Sequence, residues 1–197
     1  MNLPNKLTVM RLILVPVFMV ILLWNFGADT LTRLIAAAVF AIASLTDMLD
    51  GKIARKYNLV TNFGKFLDPL ADKFMVIAAL MCLIACGGSA MYSTCLIIAA
   101  TIVIFRELAV TSVRLLACGK DGTVIAANIY GKIKTCLQIA FVLYALVDPI
   151  LCDLVGVPLD GWPHFISYVL MLAMTVMTVL SGASYIRSYW KYIGPES

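Results

Sequence analysis

The sequence predicts an all-α, polytopic membrane protein with six transmembrane helices and an amphipathic N-terminal lead-in. Two features of composition carry that prediction: 62% of the residues are hydrophobic and 13% charged, and the mean hydropathy is +0.98. The third is a series of apolar runs, each close to the roughly 20 helical residues that cross a hydrocarbon core of about 30 Å. No soluble domain of ordinary size fits beside them. With no low-complexity tract, linker or repeat in view, residues 1–197 are read as one domain.

The spans fall at about 8–26, 31–50, 66–86, 91–116, 132–152 and 163–187. The first follows Lys6, is interrupted by Arg11 near its start and contains Pro16, where a bend is expected. No small-residue cleavage site follows it, so it is read as a retained helix and not a signal peptide. The turn at 27–30 ends this span, and Thr30 is placed to cap the next. The second span closes on Asp47 and Asp50, followed by Gly51. A polar, basic connector is expected over 52–65, carrying Lys52, Arg55, Lys56 and Lys65. Gly64 would allow a close helix approach. Pro69 is expected to start or kink the third span, because proline suits a first helical turn and disfavours helical geometry just before it.

Charge assigns the sides. The N-terminus, the 52–65 connector, the segment 114–134 and the C-terminus are basic, whereas the alternate loops hold Asp29, Arg33, Asp148, Asp153 and Asp160. By the positive-inside rule both termini and the connector lie in the cytoplasm, and the chain sits in the cytoplasmic membrane. Trp24, Trp162 and Trp190 fall near span ends, as interfacial aromatics do. The net charge of +4 is a topology signal of this kind and does not point to nucleic acid. None of the six cysteines forms a CxxC pair, so they are read as small buried hydrophobes. The lone histidine, His164, stands beside Pro163 and Trp162 at a span edge and is expected to be an interfacial anchor.

The chemistry concentrates in DMLDGKIARKYNLVTNFGKFLDPLAD, residues 47–72. Asp47 and Asp50 are i,i+3, and Asp68 and Asp72 are i,i+4, so each pair shares one helix face. Successive spanning helices are antiparallel, which puts all four carboxylates at one depth. Carboxylates gathered there repel one another and lose hydration, and cations must compensate. A ligand set made only of oxygen suits hard ions, Mg²⁺ or Mn²⁺. Two such ions would clamp a phosphoryl group, so the segment points to phosphoryl transfer. Arg55 offers a fork of donors to a phosphate. Lys52 and Lys56 serve equally well as topological anchors.

Written as a pattern, the segment spells D-x-x-D-G-x-x-A-R, eight further residues, then G-x-x-x-D-x-x-x-D, on Asp47, Asp50, Gly51, Ala54, Arg55, Gly64, Asp68 and Asp72. It resembles the signature of the CDP-alcohol phosphatidyltransferases, six-span membrane enzymes that move a phosphatidyl group from CDP-diacylglycerol to an alcohol and release CMP. The resemblance implies that Asp47, Asp50, Asp68 and Asp72 bind the two metal ions, with Asp72 also the general base on the acceptor hydroxyl. It further implies that Gly51 and Arg55, joined by Asn5, Thr8 and Thr61, contact CDP-diacylglycerol, and that the chain works as a homodimer in the lipid bilayer.

Arg106 and Glu107 lie inside the fourth span, Arg114 follows, and Lys132 and Lys134 open the fifth. Charges within a membrane mark function by default. Arg106, Arg114, Lys132 and Lys134 are therefore expected to hold an acceptor that itself carries phosphate, although the Arg106–Glu107 pair would also serve a structural role. NLPNKLTVMRLILVP, the REL segment and GKIKT are most similar to family members whose acceptor is sn-glycerol 3-phosphate. Inositol phosphate is the alternative acceptor. A divalent-cation transporter is the alternative outside enzymes, opposed by carboxylates at one face where a midplane site between repeated halves would be expected.

Overall fold

In a computed structural model the chain is helical throughout its described parts, residues 3–24, 29–56, 62–121, 129–156 and 162–193. Side chains are described for these except at 3–4, 49–56, 62–66, 68–69, 114–121, 162–163 and 190–193. Six helices follow in order: α1 Leu3–Trp24, α2 Thr30–Lys56, α3 Asn62–Ala85, α4 Ala90–Asp121, α5 Ile129–Val155 and α6 Trp162–Ile193. Among the described residues, five of them are long and apolar enough to cross a membrane, α3 being the exception. The protein is therefore an integral, multi-pass membrane protein.

Each helix buries one stripe. On α1 it runs Asn5, Thr8, Arg11, Val15, Phe18 and Leu22, the three-and-four spacing that keeps residues on one helical face. On α5 it runs Lys134, Gln138, Phe141, Ala145, Asp148 and Cys152, apolar in the middle and polar at both ends. Ile13, Val17, Val20, Phe105 and Leu172 are among the many large apolar side chains left exposed. In a membrane protein these outward faces meet lipid, and small residues mediate close approach inside. α1 packs on α2 and α3, α5 on α6 and α2, and α4 on α6. The stripes meet in one core to which all six helices contribute, with Phe18 and Phe40 in ring contact at 5.7 Å.

Several boundaries differ from the sequence reading. The N-terminal lead-in is the first turns of α1, continuous with the span through Pro16, and not a separate element. The expected 52–65 connector is mostly helix: α2 runs on to Lys56 and α3 starts at Asn62, so Pro69 lies within α3 instead of starting it. The cause is that helical hydrogen bonding continues past the membrane edge into polar sequence, which hydropathy alone does not register. Asp29, not Thr30, takes the position before α2, its carbonyl accepting from the amide of Arg33 at 3.1 Å. At the α3–α4 turn Gly87 adopts φ +76°, a left-handed conformation that glycine accepts without strain.

His164 is the largest departure. It is only 6% exposed and its Nδ1 lies 2.7 Å from Oδ2 of Asp148, so it is a buried, paired residue rather than an interfacial anchor. Of the five described cysteines, all free, Cys82 and Cys152 are buried as expected, whereas Cys86 and Cys95 are half-buried and Cys136 is exposed on the outer face of α5.

Candidate active site

The polar end of the α1 stripe fixes the first contact. Arg11 has a fully buried side chain, 0% exposed, and its Nη1 sits 2.7 Å from Oδ1 of Asp47, which is 29% exposed. Asp47 continues the α2 stripe of Phe40, Ala43 and Ser44, so the carboxylate emerges where that apolar face ends. A buried guanidinium needs a partner at hand, and Asp47 supplies it. Thr8 and Asn5 are buried on the same face of α1, about one and two turns from Arg11 towards the chain start.

Asp72 sits on α3 one turn before Met75 and Val76, which are buried in the core. It interacts electrostatically with Asp47, Lys134, Glu107 and Arg11. Five helices thus bring charge to one locality. Glu107 of α4 is buried and its Oε1 accepts from Nζ of Lys134 on α5 in a close ion pair. The same oxygen accepts from Nη1 of Arg106 at 3.2 Å. Arg106 also donates from Nη2 to Oγ of Ser181 at 2.6 Å, and its guanidinium lies 5.5 Å from the Tyr185 ring centre. Gly182 makes room for it, since a β-carbon there would stand 3.1 Å from Cγ of Arg106. Two cations share one carboxylate, leaving this group one positive charge in excess. That excess suits a phosphate held by charge-assisted hydrogen bonds.

Of the residues expected from sequence, Asp47, Asp72, Arg106 and Lys134 thus belong to the charged locality. Lys132 is exposed, two residues from Lys134 and so on another face of α5. Asp50, Gly51 and Arg55 lie in the last turns of α2, Gly64 and Asp68 in the first turns of α3, and Arg114 in α4; their side chains lie outside the described residues, as does Thr61 altogether.

A match to a family model decides what this arrangement belongs to: residues 1–181 fit the one described as CDP-alcohol phosphatidyltransferase. The chain belongs to that family. Its similarity to single members spans nearly its whole length. It is 43% identical to CDP-diacylglycerol–glycerol-3-phosphate 3-phosphatidyltransferase of Bacillus subtilis, covering 96% of each chain. It is 38% identical to a probable phosphatidylglycerophosphate synthase of Mycobacterium tuberculosis, covering 98% of this chain and 84% of the relative. With the Rickettsia bellii 3-phosphatidyltransferase the identity is 36%, over 97% of both. This CDP-alcohol phosphatidyltransferase therefore presents acidic side chains from α2 and α3 to basic ones from α4 and α5.

The family chemistry calls for a metal, and the donor set can be tested for it. Among the described residues no three Asp, Glu, His or Cys side chains come together as a metal site. The described donors, Asp47 and Asp72, are carboxylates in mutual electrostatic contact, and Asp50 and Asp68 lie one turn from each along the same helices. Like charges brought together in an oxygen-only environment fit a hard cation. Sequence reasoning did not give Arg11 a place in this site. The available signal was its position on the buried face of α1, three and six residues beyond Thr8 and Asn5.

Proposed function

We propose that the protein transfers the phosphatidyl group of CDP-diacylglycerol to sn-glycerol 3-phosphate, giving phosphatidylglycerophosphate and CMP. The observation that carries this reading is the gathering of Asp72 with Asp47, Arg11, Glu107 and Lys134 in one charged locality. A donor diphosphate is held towards α2 and α3 and an acceptor phosphate towards α4 and α5. The names of the relatives in Bacillus subtilis and Rickettsia bellii support the same acceptor.

In this mechanism Lys134 and Arg106 orient the acceptor through its phosphate, and Glu107 holds both cations in position. Asp72 takes the proton from the acceptor's primary hydroxyl. That oxygen bonds to the phosphorus bearing diacylglycerol while the bond from this phosphorus to the bridging oxygen of the diphosphate breaks. CMP leaves with the electron pair, and Arg55 neutralises charge on it. Asp47, Asp50, Asp68 and Asp72 would hold two Mg²⁺ or Mn²⁺ ions, whose chemistry is to offset the diphosphate charge and stabilise the leaving group. Arg11 keeps Asp47 aimed at this position.

The basic helix ends support placing the carboxylates and both termini in the cytoplasm. Labelling a cysteine introduced within residues 57–61 from outside intact cells would reverse that placement. The family resemblance supports a homodimer as the working unit, readable as the mass of the protein in nanodiscs. The deciding assay is CMP release by purified protein in detergent with CDP-diacylglycerol and Mg²⁺. Release should require glycerol 3-phosphate, should not occur with inositol phosphate or serine, and should stop on chelation and return with Mg²⁺. Release with another acceptor would overturn the acceptor, and release unchanged by chelation would overturn the metal.

A further inference from the structure

From Phe165 to Ile186, α6 carries no charged side chain, and the transfer chemistry gives this helix no part. It nevertheless meets Arg106 of α4 at three points. Ser181, Gly182 and Tyr185 fall at i, i+1 and i+4, on one side of α6. Ser181 is fully buried, and its Oγ accepts from Nη2 of Arg106 at 2.6 Å. The Tyr185 ring centre lies 5.5 Å from the guanidinium carbon, within the range of a cation–π contact. Gly182 stands against the stem of the same side chain, where a β-carbon would lie 3.1 Å from Cγ.

These contacts hold a posture that α4 does not provide by itself. Arg106 and Glu107 are neighbours, and successive side chains on a helix point roughly 100° apart. Arg106 therefore reaches Oε1 of Glu107, at 3.2 Å, only with its stem turned aside. Glu107 takes an N–H from one arm of the guanidinium and Ser181 takes one from the other, which fixes the plane of the fork. A guanidinium has five N–H donors, so each arm keeps a second one. Tyr185 is in turn anchored. Its ring stacks on Tyr189 at 6.1 Å, and with Val110 of α4 the two tyrosines form a small apolar core apart from the main one.

We propose that α6 sets acceptor affinity through Arg106: Ser181, Gly182 and Tyr185 are positioning residues that hold its fork in the plane in which the remaining N–H of each arm receives a phosphate. This rests on the assignment of Arg106 to the acceptor phosphate. Recognition of phosphate by a guanidinium depends on the angle of the fork as well as on its charge. A β-carbon at position 182 would push the stem by a few tenths of an ångström near its root, and both arms would move with it. Loss of the Ser181 hydroxyl would leave the charge in place and free one arm to turn. The alternative is a tether, in which Arg106 only joins α4 to α6 and no substrate senses it.

The test is steady-state CMP release by the full chain in detergent with Mg²⁺, each substrate being varied in turn. Ser181→Ala and Gly182→Ala should each raise KM for glycerol 3-phosphate about tenfold, the scale of a hydrogen bond to a charged group, and hold KM for CDP-diacylglycerol within about twofold. The effect on kcat should be smaller than that on KM. Arg106→Lys, which keeps the charge and loses the fork, should raise the same KM at least as far. In an Arg106→Met background Ser181→Ala should add nothing, since residues that act through one another are not additive. Should Gly182→Ala fail to fold, Ser181→Ala, which removes a single oxygen, decides the question. The proposal is overturned if Ser181→Ala leaves KM for glycerol 3-phosphate unchanged, or if both KM values rise together. It is equally overturned if Arg106→Lys takes the acceptor as well as the unaltered chain does, or if Ser181→Ala costs the same with and without Arg106. A lack of release from the unaltered chain with glycerol 3-phosphate is a separate result, which overturns the acceptor reading and this inference with it.

Discussion

The two ends of the bundle are both polar and both buried, yet they are satisfied in different ways. Around His164 the groups pair off, Asp148 with Nδ1 of the imidazole and Ser167 with Tyr92, which leaves Nε2 of the ring unpartnered among the described residues. Around Asp72 the charges are shared instead, since it meets the acids Asp47 and Glu107 together with the cations Arg11 and Lys134. Stable proteins avoid like charges at close quarters unless something else enters to neutralise them. The contrast therefore separates an end whose polar groups are mostly matched in pairs from an end where several charges share one locality. In sequence the two look alike, each a few polar letters at the edge of apolar runs.

The largest test of this contrast is Asp72→Asn. CMP release should fall by roughly 10² to 10⁴, the usual worth of a positioned acid–base group, with the thermal midpoint unchanged or raised as a like-charge contact is relieved. A fully active variant would remove Asp72 as the base. Next comes Arg11→Met, which leaves Asp47 beside Asp72 without its guanidinium. Breaking a buried ion pair costs about 3–5 kcal/mol, and the partial exposure of Asp47 puts the expected loss at the low end of that range. Thermal unfolding in detergent should show it, and Arg11→Met with Asp47→Asn should recover most of the stability without recovering activity. Recovery of both would make the pair purely structural.

A smaller effect separates binding from scaffolding at α4 and α5. Lys134→Met should raise KM for glycerol 3-phosphate about tenfold to a hundredfold, as expected for a lost hydrogen bond between charged groups, and change kcat less. Adding Glu107→Gln should restore folding yield but not KM; if it restores KM, Lys134 serves Glu107 and not the acceptor. The smallest effect is expected at the far end. Ser167→Ala removes the hydroxyl held by Tyr92 and should cost about 1 kcal/mol of stability while CMP release stays within twofold. A large fall in release would show that the two ends are coupled.

Fold class was legible because a membrane forces it: backbone groups in hydrocarbon must be satisfied within a helix, and apolar length reveals where. The convergence of Asp47 and Asp72 was legible for the complementary reason, since charge beside such runs is costly and its spacing on a helix is regular. Helix ends were not, because α2 and α3 continue as polar helix beyond the bilayer edge. Arg11 was read as a topological charge, since nothing local shows that its partner lies thirty-six residues on, on the facing helix. His164 was misread for the same reason, its partner Asp148 lying on the preceding helix. Partners across helices are tertiary facts, and a periodicity argument ends at the helix surface.

The bridge between Arg11 and Asp47 also constrains how the protein enters the membrane as it is made. An arginine inside a spanning helix costs about 2.5–3.5 kcal/mol at the helix centre, and less towards its ends. α1 emerges from the ribosome with that charge uncompensated, and the compensating carboxylate arrives only with the far end of α2. The first helix therefore reaches its final depth and rotation together with the second, as a hairpin pinned at its open end. A truncated chain ending before Asp47 should integrate less efficiently than one ending after it.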